Sequence, residues 1–206
     1  MAQRKDTILS RITLTLATVL SLAFSQASAQ DLNKGMDAYN AGDYATALKE
    51  WKPLAEQGNG SAQTNLGYMY TKGNGVLKDY AEAKKWYQLS AEQGYAYAQH
   101  NLATMYLKGH GVLKDYAEAI KWWRLAAKQG HYLSQNDLGI SYAMGNVVPK
   151  DNIKAHMWFN IASANGNETS GMLRDKIANK MTPEAIEKAT AMASECMNSN
   201  YKKCGR

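Results

Sequence analysis

Few residues in this 206-residue chain have the chemistry to act on a substrate or hold a metal. Among the four histidines, His100, His110, His131 and His156, no two stand at i and i+4 beside a carboxylate, the spacing by which a helix presents zinc ligands. They are expected in loops or in solvent. Gly73, Asn74 and Gly75, and again Gly109, His110 and Gly111, make glycine-rich loops. A phosphate-binding loop needs a strand before it and a Lys-Ser or Lys-Thr at its end, and neither is present. Glycines that turn the chain between two helices account for both loops. No serine lies in a Gly-x-Ser-x-Gly turn, and paired carboxylates stand only where they would cap helices or face water. Met69, Met105, Met157, Met172 and Met192 follow helix faces instead of forming Met-x-x-Met clusters, as core packing would have them. The expectation is a protein with no catalytic site, no metal and no cofactor.

The remaining reactive residues are two cysteines, Cys196 and Cys204, with seven residues between them. Redox and zinc pairs usually have about two to four. In an oxidising compartment they are expected to form one disulfide, tying the tail to the last helix with roughly 2–3 kcal/mol of stabilisation.

The start of the chain reads as an address to such a compartment. Arg4, Lys5 and Arg11 are basic, Ile12 to Phe24 is an uncharged apolar run, and Ala27, Ser28 and Ala29 are the small residues a signal peptidase accepts. Residues 1–29 are therefore expected to be a signal peptide. The competing reading, an uncleaved anchor, needs a longer run than one broken by Ser25 and Gln26. No cysteine near the cleavage point could receive lipid. The expected product is periplasmic or secreted, with no stable membrane insertion after cleavage. Removal of residues 1–29 lowers the formal net charge from +6 to +4. The remaining basic residues are dispersed among acids, not gathered on one stripe, which argues against nucleic acid as a partner.

What must position any binding residue is an internal repeat. Trp86, Trp122 and Trp158 are spaced by 36, and Leu66, Leu102 and Leu138 keep the same register, as do Tyr70, Tyr106 and Tyr142. Residues 75–83 and 111–119 are identical. A period of this length predicts a solenoid whose units complete their cores only by stacking. Each unit divides into two helices. The first, about Ala62 to Lys72, is stopped by Gly73; the second opens on Asp79 as N-cap with Glu82 three residues on, a capping-box pattern repeated by Asp115 and Glu118, and ends at Gly94. Small residues at Ala62, Gly67, Ala83 and Ala91 let the helices approach, and Trp86 and Tyr87 fill the space to the next unit. After Glu168 the pattern lapses into a helix over Thr169 to Lys180 and another capped by Thr182 with Pro183 in its first turn.

The sequence of motifs, Asn-Leu-Gly around Leu66, then Tyr70, Gly-x-Gly-Val ending at Val76, the stretch from Asp79 to Ala83, Trp86 and Ala-x-x-Gly ending at Gly94, resembles the Sel-1-like repeat family of the tetratricopeptide-repeat superfamily. Residues 61–96 and 97–132 fit nearly everywhere. Residues 133–168 fit with two departures: Val147 where Gly111 stands, and Lys154 where the capping glutamate would be. Gly35 to Gly58 resembles the shorter tetratricopeptide unit. The resemblance implies an all-α, right-handed superhelical solenoid of antiparallel helix pairs over residues 30–168, in units of about 31–60, 61–96, 97–132 and 133–168. Residues 169–206 would be capping helices and tail. It also implies that the first helix of each pair lines a concave face that binds a protein or peptide partner. The residues expected there are Gln63, Asn65, Tyr68, Gln99, Asn101, Thr104, Asn136 and Asp137. Asn65, Asn101 and Asp137 recur once per unit, either as a polar ladder for a peptide backbone or as bonds internal to each repeat. The positions used by some tetratricopeptide domains to clamp a C-terminal carboxylate hold Met36, Tyr68, Thr104 and Ile140, so that clamp is not expected. The expected protein is an exported interaction scaffold of the bacterial envelope. The alternative is a binder of a small envelope molecule such as a peptidoglycan fragment.

Overall fold

A computed structural model of the protein describes residues 31–204; the expected signal peptide lies outside the described residues. Among the described residues there are ten helices, the first eight in antiparallel pairs: α1 (31–40) with α2 (Tyr44–Glu56), α3 (Gly60–Lys72) with α4 (Tyr80–Glu92), α5 (Ala96–Lys108) with α6 (Tyr116–Ala127), and α7 (Tyr132–Met144) with α8 (Asn152–Ala164). Then α9 (Glu168–Ala178) and α10 (Pro183–Asn198) both pack on α8. The element order is that of the solenoid expected from the repeat.

Local chemistry sets the boundaries. Asp79, Asp115 and Asp151 each accept a hydrogen bond from a backbone N–H in the first turn of the helix that follows. The reciprocal half of the capping box is replaced. The backbone N–H of each aspartate donates across the pair, to the carbonyls of Tyr70, Tyr106 and Tyr142, all at 3.0 Å. No glutamate is needed to satisfy it, which explains why the third unit tolerates Lys154. Glu118 instead receives Trp122 Nε1 at 3.0 Å and pairs with Lys121.

The loop glycines serve a second contact besides the turn. A Cβ on Gly75 would lie 2.7 Å from Tyr44 Cβ, and one on Gly111 would lie 2.5 Å from the Tyr80 carbonyl oxygen, so each loop touches the helix start of the preceding unit. Within a pair, Gly67 faces the Tyr87 ring and Gly139 faces Phe159, and Ala62, Ala83, Ala98, Ala119 and Ala155 are fully buried. The aromatic side chains divide the interior. Trp86 packs with Trp51, Leu66 and Met69 in an N-terminal cluster, while Tyr87, Trp122, Trp123, Trp158 and Phe159 belong to a second that continues to Cys196.

At the far end, Cys196 and Cys204 form the expected disulfide, with Cα atoms 4.5 Å apart. It closes a turn in which Asn200 and Tyr201 adopt left-handed backbone angles. No described helix is long and apolar enough to cross a membrane.

Candidate functional site

The first helices of four consecutive pairs share one groove of about 590 Å³. Leu32 and Met36 come from α1, Asn65 and Tyr68 from α3, Tyr97, His100 and Asn101 from α5, and Leu133 from α7, with Tyr95 at the start of α5. The volume lies within the range of ligand clefts, roughly 300–1,000 Å³. None of its lining residues carries an Asp, Glu, Lys or Arg side chain. Two smaller bays open from it. One, of about 330 Å³, shares Tyr68 and Asn101 and adds Lys72, Lys78, Lys108, Tyr80 and Thr104. The other, of about 310 Å³, shares His100 and includes Thr104, Lys108 and Asp137.

Of the residues expected on the concave face, Asn65, Tyr68, Asn101, Thr104 and Asp137 line this connected surface, with Tyr68 41% exposed. Gln63 and Gln99 do not. They are 3% and 4% exposed and join consecutive units. Gln63 Nε2 donates to the Ala55 carbonyl and Gln99 Nε2 to that of Ala91, while their Oε1 atoms accept from Gln93 and Gln129. Gln135 repeats the pattern with Ala127 and Asn165. A buried amide needs partners at both ends, and this geometry supplies them once per unit. Asn136 is also engaged, its Oδ1 accepting from Ser170 Oγ at 2.8 Å. Sequence reasoning missed Tyr95, Tyr97, His100 and Leu133 together with the three lysines; the lysines repeat between units and carried no distinguishing signal, but the other four did. Several stand where near-identical units differ, as at Ser61, Tyr97 and Leu133 or Thr64, His100 and Asn136.

The histidines correct a second expectation. His131 and His156 are buried, and His100 and His131 lie with ring centroids 4.9 Å apart around Ser134. His131 is the N-cap of α7. Its Nδ1 accepts from Ser134 N at 3.3 Å, so it carries no proton and also accepts from Ser134 Oγ at 3.0 Å. His100 Nδ1 then donates to Ser134 Oγ at 3.1 Å. Burial pushes both imidazoles down to about 4; for His100 the neighbouring His131 adds to this. Asp137 Oδ2 is 3.8 Å from His100 Nδ1. Burial pushes its carboxyl up to about 6, against the opposing effects of Asn136 and the Lys108 charge. Desolvation thus outweighs the attraction between the two. Serine, histidine and aspartate meet here, but Ser134 is fully buried and its hydroxyl cannot reach a substrate carbonyl. The cluster joins units at the groove wall, with His131 and Ser134 buried and His100 and Asp137 facing the groove and its bay. His156, on α8, is buried under the C-terminal helices, and His110 stacks on Tyr80 at 4.4 Å. Among the described residues no group of three His, Cys, Asp or Glu is placed to hold a metal ion.

A stack of antiparallel helix pairs with a shared groove along its first helices defines an α-solenoid repeat protein. The Sel1 repeat model matches residues 60–95, 96–131 and 133–167, more than half of the chain, and the chain belongs to the Sel1 repeat family. Among solved structures it is similar to a Sel1 repeat protein from Oxalobacter formigenes, at 30% identity and a TM-score of 0.66 over 82% of this chain and 74% of that one. It is also similar to a protective antigen present in uropathogenic Escherichia coli strains and displaying an SLR fold, at 27% identity and a TM-score of 0.53. That match covers 84% of this chain but only 47% of the antigen, so the chain spans about half of its length. No curated protein matches the chain. Sel1 repeat proteins are generally protein-interaction scaffolds and typically non-catalytic.

Proposed function

We propose that this protein is an exported scaffold of the bacterial envelope that receives an extended segment of a partner protein in the groove along α1, α3, α5 and α7. The observation that carries this reading is the lining itself. A connected surface spans four units and presents exposed aromatic rings beside half-exposed amides, with no ion pair to break on entry. Rigid aromatic anchors supply contact area at low entropic cost, and a preformed surface avoids the cost of ordering. The disulfide and the basic, then apolar, start of the chain support an extracytoplasmic site of action.

In-cell photocrosslinking from position 68 or 97, with position 121 on the outer face of α6 as control, tests it. One partner captured from positions 68 and 97 but not from 121 is the expected result. Equal capture from 121, or no protein captured while labelled peptidoglycan fragments are, removes the scaffold reading. Alanine at both Tyr68 and Thr104 is expected to weaken capture without lowering the melting temperature.

A further inference from the structure

The groove is electrically uneven. Its main chamber holds no charged side chain, and its neighbouring bay holds three lysines, Lys72, Lys78 and Lys108, without a carboxylate in its lining. Among the described residues none of the three ammonium groups lies within ion-pair distance of an acid. Two lean on rings instead, Lys72 Nζ over Tyr68 at 5.4 Å and Lys78 Nζ over Tyr80 at 4.7 Å. Lys72 and Lys108 end α3 and α5, where the helix C-terminus favours a cation, but about half an elementary charge there leaves each ammonium net positive. The nearest acid across the adjoining bay is Asp137, whose charge is itself disfavoured by burial.

From this geometry we propose that the partner segment is acidic on one side of an aromatic or large apolar anchor: the anchor fills the uncharged chamber and the carboxylates enter the lysine bay. The proposal rests on the groove being the binding face and specifies what the groove selects. Both regions share Tyr68 and Asn101, so one continuous segment reaches both. Asn65 and Lys72 are seven residues apart on one helix, about 10 Å along its axis. An extended chain covers that in about three residues, so the acids follow the anchor at roughly that separation. Cation–π contacts hold two lysines over rings, exposed Tyr68 and partly buried Tyr80, so an arriving carboxylate finds donors already oriented.

Panning a random dodecapeptide phage library against the protein purified from cells expressing the full-length chain tests the inference. Enriched peptides are expected to carry an aromatic or large apolar residue with two or more Asp or Glu about three positions away. A synthetic peptide of that consensus is expected to bind at least about tenfold more weakly to the Lys72→Glu, Lys78→Glu, Lys108→Glu variant, and progressively more weakly as ionic strength rises. The Lys→Gln counterpart is expected to fall between, and all three positions are exposed, so folding is checked by an unchanged thermal melt. Neutral or basic consensus peptides that lose binding on Tyr68→Ala overturn the acidic segment and leave the groove as binding face. Peptides indifferent to Tyr68→Ala and to charge reversal overturn both. A library with nothing enriched overturns the acidic segment, and the crosslinking experiment then decides on the groove alone.

Discussion

The inter-unit framework and the groove differ in one respect: the framework repeats, whereas the groove keeps Asn65 with Asn101 and Lys72 with Lys108 in register but changes its aromatic and apolar positions from unit to unit. Gln63, Gln99 and Gln135 make the same pair of hydrogen bonds every 36 residues, and an aspartate caps every second helix of the three long units. Along the groove the equivalent positions read Ser61, Tyr97 and Leu133, or Tyr68, Thr104 and Ile140. Stacking demands the same solution at each interface; a bound segment, different at each of its residues, demands a different one. At Tyr68 and Tyr97 variation between units coincides with exposure in the groove, whereas His100 and Asn136 vary and still bond across units.

The comparison predicts that stability and binding separate by position. The largest loss belongs to the aromatic interior. Trp158, 4% exposed, is expected to cost roughly 3–5 kcal/mol when replaced by alanine, measured by denaturant unfolding. Cys196→Ser is expected to cost roughly 2–3 kcal/mol on the loop-entropy account, and to equal the effect of a reductant on the native protein. A third expectation concerns pH. His100 and His131 are held near 4 against an ordinary 6.5, so the unfolded chain binds more protons and stability falls as pH drops from about 6.5 to 4. Asp137, raised to about 6, contributes with the opposite sign between about 4 and 6, so the two histidines set the net direction, a loss of stability as pH falls. Denaturation midpoints across that window check it, and the His100→Gln, His131→Gln variant should lose most of the fall, leaving the opposed contributions of Asp137 and buried His156; an unchanged fall would separate the cluster from the framework.

Gln99→Ala is expected to cost roughly 1–2 kcal/mol by removing a buried amide that donates to the Ala91 carbonyl and accepts from Gln129. The smallest effect belongs to the groove, where Tyr68→Ala should change stability by no more than about 0.5 kcal/mol. A loss like that of Gln99→Ala would end the distinction between the two regions.

The fold was legible because the 36-residue period, the aspartate caps and the stop glycines are local signals. The groove was partly legible for the same reason: Asn65, Tyr68, Asn101, Thr104 and Asp137 lie on the helix face that the repeat register indicates. Gln63 and Gln99 were misplaced because an amide on an amphipathic helix reads as solvent-facing unless its partners are known, and those partners, Ala55 and Gln93 for Gln63, stand 8 and 30 residues away. Their own 36-residue recurrence was the missed clue. The histidine cluster was hidden differently. His100 and Ser134 are 34 residues apart and occupy non-equivalent places in consecutive units, so only stacking brings them together.

The C-terminal seal has a consequence for assembly. The amide ladder ends at Asn165, whose Oδ1 accepts from Tyr201 Oη at 2.9 Å, and position 171, where a fourth glutamine-bearing helix would continue the series, is glycine. An unsealed stack offers its last interface to the first unit of another copy, a head-to-tail contact that does not close and grows into a filament. Here α9, α10 and the disulfide-held tail cover α8, so the last interface of the stack is already occupied within the chain itself.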